Sequence, residues 1–194
     1  MEVKRTVKPY VLVRLLRMND EIELNNGERL WLDVDFDHVP HIPVVGEVIV
    51  EGRGKVKVGD IVVMDRTAVE IALKQEGMPR IFEEVDGRNV AKVFVRDEDI
   101  IAAKRDGKVF TVNDYVITEA IEEDLSQVIM YKKKSGKRAK VVMAPEGSGL
   151  NEGDVIIFRI FADVPLEHQI HKAFFDKVVS RMKLDAVLAK EGVC

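Results

Sequence analysis

The chain has 194 residues, of which 46% are hydrophobic, 33% charged and 6% aromatic, and its formal net charge is −4. This is the profile of a soluble globular protein, and it excludes intrinsic disorder and a collagen-like fibre. Residues 1–107 hold 17 basic and 21 acidic side chains and residues 108–194 hold 13 of each, so neither half is a polycation.

Short runs rich in Val, Ile and Leu, bounded by Gly, Pro, Asn or Asp, predict strands over residues 10–16, 47–50, 61–64 and 90–95. Between the first two lies a long stretch, residues 18–44. It contains the turn signal Asn25-Asn26-Gly27, the apolar triplet Leu30-Trp31-Leu32, and Asp33, Asp35, Asp37 and Pro40, which discourage burial. A structureless loop of this length is uncommon in a compact domain unless it is functional. The other reading of the triplet is a strand with one face packed on the core. Residues 69–74 alternate apolar and polar side chains, which favours a strand, although Ala, Leu, Lys and Glu are good helix formers.

An internal repeat organises the chain. Val58-Gly59-Asp60-Ile61-Val62-Val63-Met64 reappears as Glu152-Gly153-Asp154-Val155-Ile156-Ile157-Phe158, 94 residues on. Upstream, the segment around Tyr10 matches that around Tyr115 at an offset of 105. Downstream, Asp99-Ile100-Ile101-Ala102 matches Asp185-Ala186-Val187-Leu188 at 86. Two domains follow, residues 1–107 and 108–194, the second shorter in its loops. Gly59 and Gly153 can take the positive φ of a tight turn, after which the Asp opens a buried strand. Several short strands at this spacing predict a barrel in each copy.

Taken in order, Pro9 to Arg14, Gly46-Glu47-Val48-Ile49-Val50, Lys57-Val58-Gly59-Asp60-Ile61-Val62-Val63-Met64, Val93-Phe94-Val95 and Asp99-Ile100-Ile101-Ala102 resemble the GroES-type co-chaperonins. The resemblance covers residues 7–105 and, through the repeat, extends more faintly over 112–191. The tandem arrangement is similar to the double-barrel co-chaperonins of plastids, here of bacterial or bacteriophage type. It implies an all-β fold of two tandem GroES-like small β-barrels, with a long flexible loop in the first. It also implies a homo-oligomeric ring that caps a group I, GroEL-type chaperonin and assists ATP-dependent folding, binding through Gly27, Leu30, Trp31 and Leu32. Such a protein is not an enzyme and needs no cofactor.

In that family a hairpin before the Lys-Val-Gly-Asp turn roofs the dome. Only Glu51-Gly52-Arg53-Gly54-Lys55-Val56 spans the gap here, so an open-topped lid is implied. Copy two has Lys140-Val141-Val142 in place of Gly-Glu-Val. Its Leu125 and Val128-Ile129-Met130 read more readily as strand than as mobile anchor. In the family the first strand of one barrel borders the closing strand of its neighbour. A junction between residues 100–103 and 115–118 within the chain is therefore expected, with outer edges near 10–16 and 187–189 pairing between copies.

Other chemistry is less well represented. His38/His41 and His168/His171 have metal-like spacing but no Cys or further His nearby, and no zinc site is expected. No Gly-x-Gly-x-x-Gly, phosphate loop or Gly-x-Ser-x-Gly elbow occurs. Lys132-Lys133-Lys134-Ser135-Gly136-Lys137-Arg138 is the one candidate for an alternative, an RNA-binding β-barrel, but reads more readily as a solvated hairpin tip, so no nucleic-acid partner is expected. A second alternative is a phage structural protein that reuses the barrel. No apolar run approaches the roughly 18 residues of a membrane span. Met1-Glu2-Val3-Lys4-Arg5 has neither a signal core nor a transit-peptide composition, so the expected location is cytoplasmic, in a bacterium or a phage-infected host. The only cysteine, Cys194, permits no intrachain disulfide.

Overall fold

The computed structural model describes residues 9–16, 21–23, 29–31, 44–74, 81–85, 88–121, 137–166 and 174–191. These are mostly strands, arranged in two compact units, residues 1–107 and 108–194.

In the first unit, β1 (Tyr10–Leu15), β2 (Glu21–Glu23), β3 (Arg29–Trp31), β4 (Val45–Val50) and β5 (Ile61–Met64) precede helix α1 (Arg66–Lys74). The strands β6 (Ile81–Val85), β7 (Arg88–Arg96) and β8 (Ile100–Arg105) follow. Within the unit the main sheet runs β6-β7-β1-β4-β5-β8, every neighbour antiparallel, while β2 and β3 pair only with each other. Three consecutive residues of β1, Val11, Leu12 and Val13, and four of β8, Ile100 to Ala103, are buried. Both faces of these strands are therefore covered, which is why they read as continuous apolar runs.

Residues 69–74 form part of α1, correcting the strand expected there. The Asp65 carboxylate accepts the Thr67 N–H at 2.9 Å and its carbonyl accepts the Val69 N–H at 3.1 Å, which starts the helix. Val69 and Ala72, three apart, face inward, and Lys74 pairs with Glu70 one turn back at 2.7 Å. The alternation carried no weight because Ile71, which a strand would place beside Val69, is 54% exposed.

In the second unit come β9 (Lys108–Thr111), β10 (Tyr115–Ala120), β11 (Lys137–Met143), β12 (Val155–Phe158), β13 (Val164–Pro165), β14 (Ser180–Lys183) and β15 (Val187–Lys190). The order β13-β14-β10-β11-β12-β15 repeats the scheme of the first unit strand for strand. The core gathers Val116, Ala139, Val141, Ile156, Phe158 and Met182. Irregularities repeat as well: the β1–β4 register shifts between Leu12 and Val13 and the β10–β11 register between Ile117 and Thr118, 105 residues later.

The ladders correct two landmarks by one residue. Arg14 faces Glu47 and Glu119 faces Lys140, so Ala139-Lys140-Val141 is the counterpart of Gly46-Glu47-Val48. Val63 faces Ala102 and Ile157 faces Ala189, so the closing strand repeats at 87 and not 86. The shared Asp-plus-apolar signature hid the slip, because two apolar runs align almost as well one residue apart. The strand edges are corrected too. Within its own unit β10 has both edges taken, by β11 and β14, so residues 115–118 offer no open edge for the expected junction. Likewise β1 lies between β4 and β7 and is no outer edge.

At Gly46 the chain has no room for a side chain. A Cβ there would lie 2.3 Å from Val13 Cγ1 and 2.8 Å from the Arg14 carbonyl oxygen. In the second unit Ala139 stands at this place, where the facing strand carries Thr118 and Ala120 in place of Val13 and Leu15. Gly46→Ala is expected to destabilise by about 1–3 kcal/mol through overpacking. Ala139→Gly should cost less, and thermal melts of the two variants make the comparison.

Candidate docking site

Each unit is braced by its Gly–Asp turn. Gly59 and Gly153 have φ of 89° and 90°, where a side chain would be strained, as the turn signal predicted. The Gly59 N–H donates to the Val48 carbonyl at 2.9 Å and the Gly153 N–H to that of Val141 at 2.8 Å. The Asp60 carboxylate is 2% exposed. It accepts the Lys57 N–H at 2.7 Å and two bonds from the Arg105 guanidinium, each 2.7 Å. Burial pushes this carboxyl up, but Arg105 and the Lys57 N–H outweigh it and hold it below its ordinary value. Asp154 accepts the Asn151 N–H and meets the Lys190 ammonium, both at 2.7 Å; Lys190 first, then the N–H, holds it low.

These braces fix β4 and β5, and with them the base of the long excursion between β1 and β4. The chain leaves after Leu16, whose N–H donates to the Val45 carbonyl at 2.9 Å, and it returns at buried Val44, whose carbonyl accepts the Met64 N–H at 2.8 Å. The two ends of the excursion are thus held together, the arrangement of a surface loop closed at its base. Of the expected docking residues, Leu30 and Trp31 lie on β3, opposite Ile22 and Glu21 of β2 in the antiparallel register. That pair is hydrogen-bonded to no strand of the main sheet. Gly27 and Leu32 lie outside the described residues, as do Val128-Ile129-Met130 and all four histidines.

Of the basic run 132–138, the described residues are Lys137 and Arg138 on β11. The Arg138 guanidinium is engaged by both carboxylate oxygens of Glu191 at 2.5 Å, which holds the Glu191 carboxyl low. Among the described residues no three His, Cys, Asp or Glu converge as metal ligands, and no helix is long and apolar enough to cross a membrane.

Sequence reasoning missed a groove of about 530 Å3 beside α1, lined among others by Tyr10, Asp65, Ala68, Ile71, Phe94 and Asp99. It depends on the helix, which the alternation concealed. It also missed the seat of Asp97. A Cβ at Gly52 or Gly54 would come within 2.7 or 2.8 Å of that carboxylate, and one at Gly52 also within 3.0 Å of the Tyr10 carbonyl oxygen, so a side chain at either place would displace Asp97.

The chain matches no family model, and no curated protein matches it either.

Because Asp60 and Asp154 titrate lower folded than unfolded, each stabilises its unit above the unfolded value and loses that contribution as pH falls through the folded one. Stability should therefore decline as the pH drops below about 4. Asp60→Asn and Asp154→Asn should each flatten that decline, since each removes a carboxyl held low in the folded state. Urea melts across the acid range provide the measurement.

Proposed function

We propose that the chain is a tandem co-chaperonin: two GroES-like small β-barrels that assemble with further copies into a ring and cap a group I chaperonin. What carries this reading is one strand-pairing scheme present twice, with a long excursion inserted in the first copy between two strands whose ends are pinned together. The order of blocks that resembles the co-chaperonins is the order of β1, β4, the Gly–Asp turn, β5, β7 and β8.

In this reading the protein works by binding, without chemistry of its own. Gly27, Leu30, Trp31 and Leu32 supply the contact. Each large apolar side chain contributes about 1.5–3 kcal/mol when buried on the partner. Ordering the loop on docking offsets much of that, so a single contact is weak. Several loops on one ring restore affinity through effective concentration. ATP is hydrolysed by the chaperonin, while the lid closes the chamber. Ring contacts use strand edges, and β15, at the end of its sheet and with Leu188 53% exposed, offers one.

Pull-down on a group I chaperonin with and without ATP tests the reading. Replacing Leu30, Trp31 and Leu32 together by Ser should abolish retention while the melting temperature stays within a few degrees. Loss of folding would instead make the triplet part of the core. The sole tryptophan should also shift its fluorescence to the blue when the chaperonin is added. Native mass spectrometry is expected to show a homo-oligomer at micromolar concentration, and a stable monomer there would rule out the ring.

A further inference from the structure

On the central strand of the first unit, the Arg14 guanidinium sits between two carboxylates, Glu47 of β4 at 2.5 Å and Glu83 of β6 at 3.4 Å. Glu83 also meets Lys92 of β7 at 3.0 Å. At the same place in the second unit stands Glu119, 105 residues later and in the same ladder position. It lies between two ammonium groups, Lys140 of β11 at 3.3 Å and Lys177 at 3.0 Å. The cation between anions has become an anion between cations.

We infer that this reversed polarity sorts the strands during folding, so that each central strand returns to its own unit and is not exchanged with its near-duplicate, in the same chain or another copy. Apart from Val13 and Leu15, which Thr118 and Ala120 replace, the two strands are closely alike. The strands β1 and β10 share their length, three consecutive buried residues after the Tyr and the position of the register shift. Hydrophobic pattern and register ordinarily select strand partners, and here the register is the same and the pattern differs only at Val13/Thr118 and Leu15/Ala120. Exchange of strands between similar units is a characteristic failure of repeat proteins. If β10 took the place of β1, Glu119 would face Glu47 and Glu83; β1 in the place of β10 would set Arg14 against Lys140 and Lys177. The contacts with Glu47 and Glu83, or with Lys140 and Lys177, would turn repulsive, and like charges directly opposed across strands disfavour pairing; Lys92, directly opposite Arg14, is a cation that an exchanged Glu119 would meet attractively. The inference holds whatever partner the protein serves.

The test recodes one unit to match the other. The variant E119R/K140E/K177E keeps both ion pairs of the second unit but erases the difference between units. It also leaves the Gly46/Ala139 difference untouched, so the outcome reads the charges alone. Its native melting temperature should stay within a few degrees of the parent. On refolding from denaturant, the share of chains recovered with the parent's size and melting curve should fall several-fold, increasingly so at higher protein concentration. Adding R14E/E47K/E83K/K92E reverses the first unit too and should restore recovery, and this second variant decides the matter even if the first fails to fold natively. Equal recovery of parent and first variant, or no rescue by the second, overturns the inference.

Discussion

The Gly–Asp turn is the contact on which both units depend. A glycine at φ near 90° lets the backbone reverse tightly enough for its N–H to reach the preceding strand. The following carboxylate then collects the N–H of the residue three positions earlier. One side chain thereby satisfies a donor that the turn would otherwise orphan, and it delivers β5 between β4 and β8, or β12 between β11 and β15. In the first unit the carboxylate is almost wholly buried and needs a guanidinium from β8, so the turn also ties the closing strand to the second hairpin. In the second unit the carboxylate is less buried and an ammonium from β15 suffices.

From this common frame the units diverge where length permits. After β5 the first unit inserts α1, whose inner face buries Val69 and Ala72. At the corresponding place the second unit makes only a tight turn through Phe161, at φ 67° and 88% exposed, before β13. Between the first two strands of the sheet the first unit carries the longer excursion, with its base closed by Leu16 and Val45. The duplicated part is thus the strand scaffold, and the differences lie in the connections, where added chain costs little closure entropy.

Charge behaves differently from packing in this duplication. Val11 and Leu12 of β1 are kept in kind as Val116 and Ile117 of β10, because a buried methyl group has few substitutes in a close-packed interior. The part-exposed pair beside them is kept only as a relation: Arg14 with Glu47 becomes Glu119 with Lys140. Coulomb attraction is unchanged when both signs flip, so the pair is free to reverse while the fold stays the same.

What the sequence by itself determined is local: the strand at Ile61–Met64, the positive-φ turns at Gly59 and Gly153, the order of matching blocks, and an apolar triplet stranded among acidic residues. Each is decided by backbone sterics or by a run of like side chains within a few residues. The tertiary structure decided the rest. Residues 69–74 became helix because Asp65 caps them and β7 receives one face, although their alternation reads as strand. The repeat moved by one residue in two places because cross-strand partners, and not sequence likeness, set register. Of the candidate docking site, Leu30 and Trp31 stood out as residue types, but the closure of the segment's base by a bond between residues 16 and 45 was invisible. The partners of Arg14 lie 33 and 69 residues away, and only folding brings them to one side chain.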